Sequence, residues 1–231
     1  MKEIKENLVP KSPDKLQELV LELYKSHTSG KKCKVCDLGA GTGMFSEKIA
    51  GLAESVLAVD YDNSHLKISN VNFLKLDLDD VNFAEKIIEI HGKFDVVIAV
   101  EIIEHLENPF SFIRQCKKLL NREGLLFLTT PNVEAINSRI MFLYKGRLAY
   151  FDENATIRSA HITPIFSWKL DMALEESGFQ KVYDRYVLNE FRLGSHNLKG
   201  WIAGFISLLF YPIVKGNKYG ANRVIVAKNN E

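Results

Sequence analysis

The chain has 231 residues, 46% hydrophobic and 26% charged, a globular composition that excludes disorder for the bulk of it. Thirty Lys and Arg against 29 Asp and Glu give a net charge of +1, which excludes a strongly basic nucleic-acid coat protein. Three Cys are too few for a disulfide scaffold, and no apolar run reaches the ~18–20 residues of a membrane-spanning helix. The first fifteen residues mix Lys and Glu with no apolar core, unlike a secretory signal, so the expected compartment is the cytoplasm.

Residues 15–26 read as a helix within an N-terminal extension over 1–30. Strands and helices then alternate. Residues 34–38 are a short buried strand, 45–52 a helix, 55–60 and 71–76 two strands, and 83–90 an amphipathic helix closed by His91 and Gly92. Residues 94–100 are nearly all apolar, as a strand covered on both faces should be. Residues 109–120 form a helix with Pro109 in its first turn and Gly124 beyond its end; 125–130 form a strand stopped by Pro131. No period is visible over 132–163 or over most of 191–222, which read as lid insertions. Between them come a helix over 167–177 and a strand over 180–188; a last strand covers 223–227. This order predicts one α/β domain with a mostly parallel sheet and helices on both faces.

The sequence from Asp37 to Gly43, DLGAGTG, follows a strand and opens a helix, where glycines allow positive φ and close approach of a ligand. A dinucleotide fingerprint fails here in both registers, at Met44 and at Ser46, which argues against a nicotinamide-dependent oxidoreductase; a phosphate loop lacks its Gly-Lys-Ser/Thr. Acidic residues end three successive strands: Asp37, Asp60 and Asp77. An acid beside the turn suits a cationic ligand, and one at the second strand end suits ribose hydroxyls. Together they describe an adenosine site without phosphates. The segment from Trp201 to Val214 is uncharged and apolar. Three readings of it stay open: a buried lid, a partner interface, or a helix lying on the cytoplasmic face of a membrane. From Lys181 onward eight Lys and Arg stand against three acids.

These motifs, with 56–62 (VLAVDYD), 74–78 (LKLDL), 94–109 (FDVVIAVEIIEHLENP) and 124–131 (GLLFLTTP), resemble the class I S-adenosylmethionine (SAM) methyltransferases over nearly the whole chain. The resemblance implies a Rossmann-like, doubly wound, seven-stranded, mostly parallel sheet with an antiparallel last strand lying between strands five and six. It implies that Asp37 and the backbone of Gly39, Ala40, Gly41 and Gly43 hold the methionine part of SAM. Asp60 would take the ribose, Tyr61 would pack on adenine, Asp77 with Leu78 would read its edge, and Glu101 would belong to the cofactor-binding residues.

Glu101, Glu104 and His105 follow the fourth strand, where an open α/β sheet places its ligands, and His161 follows the first insertion. Two carboxylates and imidazoles form a divalent-cation set, with Mg2+ as the candidate. The E-x-x-E-H pattern is similar to that of ubiquinone-biosynthesis O-methyltransferases and of small-RNA 2′-O-methyltransferases. An RNA acceptor does not fit the neutral charge. His105 as a general base without metal, aided by Glu104 and His161, stays open, as does a packing role. The expected activity is methyl transfer to a hydroxyl of a small-molecule, quinone-precursor or lipid- or glycan-linked acceptor. The alternatives are a metal-independent N- or O-methyltransferase and a non-catalytic SAM-binding protein. Cys33 and Cys36 match C-x-x-C, but strand geometry turns them to opposite faces. His65, His91 and His196 have no partner pattern.

Overall fold

The computed structural model describes residues 13–64, 66–67, 71–188 and 198–230. The start of the expected N-terminal extension, His65, and residues 191–197 of the second insertion, with His196, lie outside the described residues. In chain order the elements are α1 (Asp14–Thr28), β1 (Lys34–Leu38), α2 (Met44–Ala50), β2 (Ser55–Asp60), β3 (Asn72–Lys75), α3 (Phe83–His91) and β4 (Phe94–Val100). A 3-10 turn (Ile103–His105) leads to α4 (Pro109–Leu119), β5 (Leu120–Pro131), α5 (Ile136–Lys145), α6 (Glu153–Ser159), α7 (Ser167–Glu176), β6 (Phe179–Val187), α8 (Leu198–Phe210) and β7 (Asn222–Asn229).

The strands form one sheet in the order β3-β2-β1-β4-β5-β7-β6. All are parallel except β7, which runs antiparallel between β5 and β6, as the resemblance implies. Alternation along each strand divides the interior into two cores. Cys36 and Leu38, Val97 and Ala99, Leu126 and Leu128, and Ile225 and Ala227 face one side, with Phe83, Phe112, Cys116 and Leu170 from α3, α4 and α7. Val35, Val96, Ile98, Phe127, Val224 and Val226 face the other, with Leu16, Val20, Tyr24, Phe45 and Ile49 from α1 and α2. Cys33 packs against this second core, so the two cysteines of the C-x-x-C pair sit on opposite sides of the sheet.

Two local readings need correction. The insertions are not irregular: α5, α6 and α8 occupy them. Their period is hidden because α5 and α8 leave large apolar side chains in solvent, among them Phe142, Leu143, Phe205 and Leu209. A stripe pattern requires the apolar face to be buried and the polar face exposed. Also, β5 starts at Leu120, so Gly124 lies within a strand. A Cβ there would come within 2.9 Å of the Asn121 carbonyl and 3.1 Å of the Asp95 carbonyl, so close approach accounts for this glycine rather than a helix stop.

The strand order reverses between β1 and β4, and ligands of open α/β sheets bind at the carboxyl ends flanking such a reversal. There the turn after β1 meets the residue after Glu101: a Cβ on Gly39 would fall 2.6 Å from the Ile102 side chain.

Candidate active site

The candidate cofactor half is built on three strand ends. Gly39, Gly41 and Gly43 all have positive φ, at 77°, 56° and 77°. This turns the chain sharply while the Gly39 and Ala40 amides donate to the Val59 carbonyl at 2.8 and 3.1 Å. Asp37 is buried behind the turn, and the Ser46 hydroxyl of α2 donates to it at 2.5 Å. Burial raises its pKa to about 6, with the Ser46 hydrogen bond opposing. Asp60 accepts from the Gly41 amide at 2.7 Å and from the Asp62 amide at 3.2 Å. It therefore braces the glycine turn, a structural role that leaves further lone pairs for a ribose. Burial raises its pKa too, against the lowering effect of these backbone donors. Tyr61 follows directly and is half-buried. Asp77 accepts from the Asp79 amide at 3.0 Å, while the Leu78 side chain is committed to the first core, leaving only its backbone for an adenine edge.

The candidate acceptor half is built on the end of β4. Glu101 adopts φ 52°, unusual for a residue other than glycine and a sign of a constrained position. The Thr129 hydroxyl and the Asn222 amide each donate to its carboxylate at 2.8 Å, from β5 and β7. Burial still lifts its pKa to about 7. The 3-10 turn then presents Glu104 and His105. Glu104 is fully buried; one oxygen accepts from Thr130 at 3.3 Å and the other has no partner. Burial, reinforced by Glu101, raises its pKa well above the usual carboxylate value. An unsatisfied buried polar atom costs on the order of 1–3 kcal/mol, which a cation or a hydrogen-bond donor at this oxygen would relieve.

His161 reaches this turn because the Glu104 carbonyl accepts from the amides of Ile162 and Thr163, at 3.1 and 3.0 Å, and Thr163 donates to the Leu106 carbonyl at 2.5 Å. The His105 and His161 rings stand nearly perpendicular, 4.8 Å apart. One ligand atom each from Glu104, His105 and His161 lies within 4.8 Å of the others. The donor set fits a divalent cation. Glu101 is not part of this group; its carboxylate is held from behind by Thr129 and Asn222. The Tyr150 carbonyl lies 3.0 Å from His161 Nδ1 and can only accept, so Nδ1 carries the proton and Nε2 the lone pair. Burial depresses the His161 pKa, against the raising effect of that hydrogen bond.

Sequence reasoning missed Thr129, Thr130, Asn132 and Asn222. Their signal was polarity at the open end of otherwise apolar strands. Asn132 is the most connected: its amide donates to the carbonyls of Asn217, Tyr219 and Gly220 at 2.9, 2.7 and 3.0 Å. It fastens the chain entering β7 to the end of β5.

Residues 9–183 match the family model described as "Methyltransferase domain", three-quarters of the chain. The chain belongs to the class I SAM-dependent methyltransferases. Family membership makes the glycine turn and the three acidic strand ends the expected cofactor side. Among curated relatives, the ubiquinone biosynthesis O-methyltransferase of Glaesserella parasuis is 34% identical over 108 residues, covering 43% of this chain and 45% of that protein. The ubiquinone biosynthesis O-methyltransferase of Caulobacter vibrioides is 37% identical over 101 residues, covering 42% of this chain and 40% of that protein. The chain thus spans less than half the length of these relatives in the match. A SAM-dependent methyltransferase structure from Archaeoglobus fulgidus aligns with TM-score 0.63 and 19% identity, covering 92% of this chain and 94% of that one. The N-methyltransferase NodS from Bradyrhizobium japonicum, solved with S-adenosylhomocysteine, aligns at 0.58 and 13% over 100% and 98%. At such identities these neighbours report the fold alone.

Proposed function

We propose that the protein transfers the methyl group of SAM to a hydroxyl of a small acceptor, with Glu104, His105 and His161 handling that hydroxyl. The observation that carries the reading is their convergence within 4.8 Å beside the glycine turn, around a buried carboxylate with an unpartnered oxygen.

When bound, SAM supplies a methyl group already activated by a sulfonium. Asp37 would pair with its ammonium, the backbone of Gly39 to Gly43 would hold its methionine part, Asp60 would accept from the ribose, and Tyr61, Asp77 and the Leu78 backbone would hold the adenine. A divalent cation such as Mg2+, held by Glu104, His105 and His161, would lower the pKa of an acceptor hydroxyl. His161 suits this role because its Nδ1 is tied to Tyr150, and its depressed pKa keeps Nε2 unprotonated near neutrality. Glu101, fixed by Thr129 and Asn222, would stand between cofactor and acceptor.

The names of the curated relatives support a quinone precursor with adjacent ring hydroxyls as the acceptor. The exposed apolar residues of α8 support contact with a membrane surface near such a precursor. No helix among the described residues is long and apolar enough to cross a membrane. A second reading, favoured by the unprotonated Nε2 of His161, is the same transfer with that imidazole taking the hydroxyl proton directly and no metal.

Incubation with methyl-tritiated SAM and catechol or 3,4-dihydroxybenzoate, with and without EDTA, tests the proposal. Label should appear on oxygen, and Glu104→Gln should lower the rate at least about 100-fold, the scale of losing a catalytic acid–base or metal-holding group. Loss with EDTA supports the metal; EDTA-insensitive transfer supports the imidazole alone. Label transfer unaffected by Glu104→Gln would overturn the role given to the cluster.

A further inference from the structure

A half-open cavity of about 210 Å3 lies beside the cluster, between α5, the loop 146–151, α8 and the chain leading into β7. It shares walls with the acceptor half. Tyr150, whose carbonyl holds His161, lines it, and so does Ala221, directly before the Asn222 that holds Glu101. The lining is chiefly apolar, with Ile136, Ala149 and Leu208.

Its charge is gathered on one side. Lys218 Nζ sits 4.2 Å from the centre of the Tyr211 ring and 5.9 Å from that of Tyr219, and the two rings meet edge to face at 5.4 Å. One of its three N–H donors goes to the Tyr211 carbonyl at 2.5 Å. Among the described residues no Asp or Glu lines the cavity, and residues 135–149 and 198–222 contain none. A half-buried ammonium bordering an apolar cavity can give a charge-assisted hydrogen bond to an entering carboxylate. The frame is already fixed: Asn132 clamps residues 217–220, and Arg139 of α5 donates to the Lys215 carbonyl at 2.8 Å. A dry cavity of about 150 Å3 accommodates benzene, so a single substituted ring fits within this volume.

We propose that this cavity anchors the acceptor, and that it takes a single-ring aromatic carboxylate, the ring against Ile136, Ala149 and Leu208 and the carboxylate on Lys218. Only the word acceptor rests on the methyl-transfer reading; the binding does not.

The test is calorimetric titration of benzoate, 3,4-dihydroxybenzoate and catechol into the protein saturated with S-adenosylhomocysteine. Both carboxylates should bind at least about tenfold more tightly than catechol, the scale of one charge-assisted contact. Lys218→Met should erase that gap and Lys218→Arg should keep it. Ala149→Phe, which fills the cavity without touching charge, should abolish benzoate binding. Because benzoate has no hydroxyl, Glu104→Gln should leave its binding intact, so methyl transfer can fail while this site stands. Catechol binding as tightly as 3,4-dihydroxybenzoate, a gap that survives Lys218→Met, or no carboxylate binding to the unaltered protein would each overturn the proposal.

Discussion

Asp37 carries opposing demands of stability and binding. In the ligand-free protein its pKa is about 6 against 3.8 for an unperturbed carboxyl, so between these values the folded state holds more protons than the unfolded one. Stability therefore falls as pH rises through this window, by about 3 kcal/mol once Asp37 is ionised. Asp37→Asn keeps an acceptor for Ser46 and removes the cost. It should raise the melting temperature at pH 8, leave it nearly unchanged at pH 4, and abolish binding of S-adenosylhomocysteine. For the unaltered protein, affinity for that ligand should increase about tenfold per pH unit below 6 and level off above, since its ammonium requires the ionised carboxylate. A pH-independent affinity would remove Asp37 from the cofactor's ammonium. The acidic strand ends were legible in the sequence because an acid at the end of an apolar run stands out. The second role of Asp60, bracing Gly41, was not, because it depends on two turns meeting in space.

Among the elements, the strands were the most legible and the lid the least. β1, β2 and β4 have the boundaries that their apolar runs predict, because both faces are buried. α5 escaped detection, and a helix was one reading among three for 201–214, because their exposed apolar residues erase the contrast that marks a surface helix. On α8 and just beyond it, Phe205 is 66% exposed, Leu209 62% and Ile213 72%, and Lys215 follows. Contact with a membrane surface predicts cosedimentation with vesicles containing phosphatidylglycerol and little with pure phosphatidylcholine. Leu209→Ser with Ile213→Ser should remove most of that binding. Equal sedimentation of the double variant would contradict this role for the helix.

At the scale of the whole molecule, the sheet brings together segments distant in sequence. Glu104 and His161 meet across the first insertion, and Asn222 reaches Glu101 from the far end of the chain because β7 runs antiparallel beside β5. His161 was legible only as a candidate, since no spacing rule links it to Glu104. The far edge is locked by Arg223, nearly buried, which donates to Asp171 and Asp184 at 2.7 Å and to the Ser167 carbonyl at 3.1 Å, joining β7 to α7 and β6. Arg223→Met leaves those partly exposed carboxylates with Lys181 alone and should cost about 2 kcal/mol in denaturant unfolding, less than breaking a fully buried pair because water reaches them. A cost below about 1 kcal/mol would mean that Lys181 and water compensate.

The proposed methyl transfer requires a cofactor site and a Glu-His-His cluster lying side by side. The direct test is calorimetric titration of S-adenosylhomocysteine into the protein, then of Mn2+ into the saturated complex, for the unaltered chain and for Glu104→Gln combined with His161→Ala. The prediction is one molecule of S-adenosylhomocysteine bound by both proteins, and saturable Mn2+ binding by the unaltered protein only. Failure of S-adenosylhomocysteine to bind the unaltered protein, or Mn2+ binding that the paired substitution leaves unchanged, would contradict it.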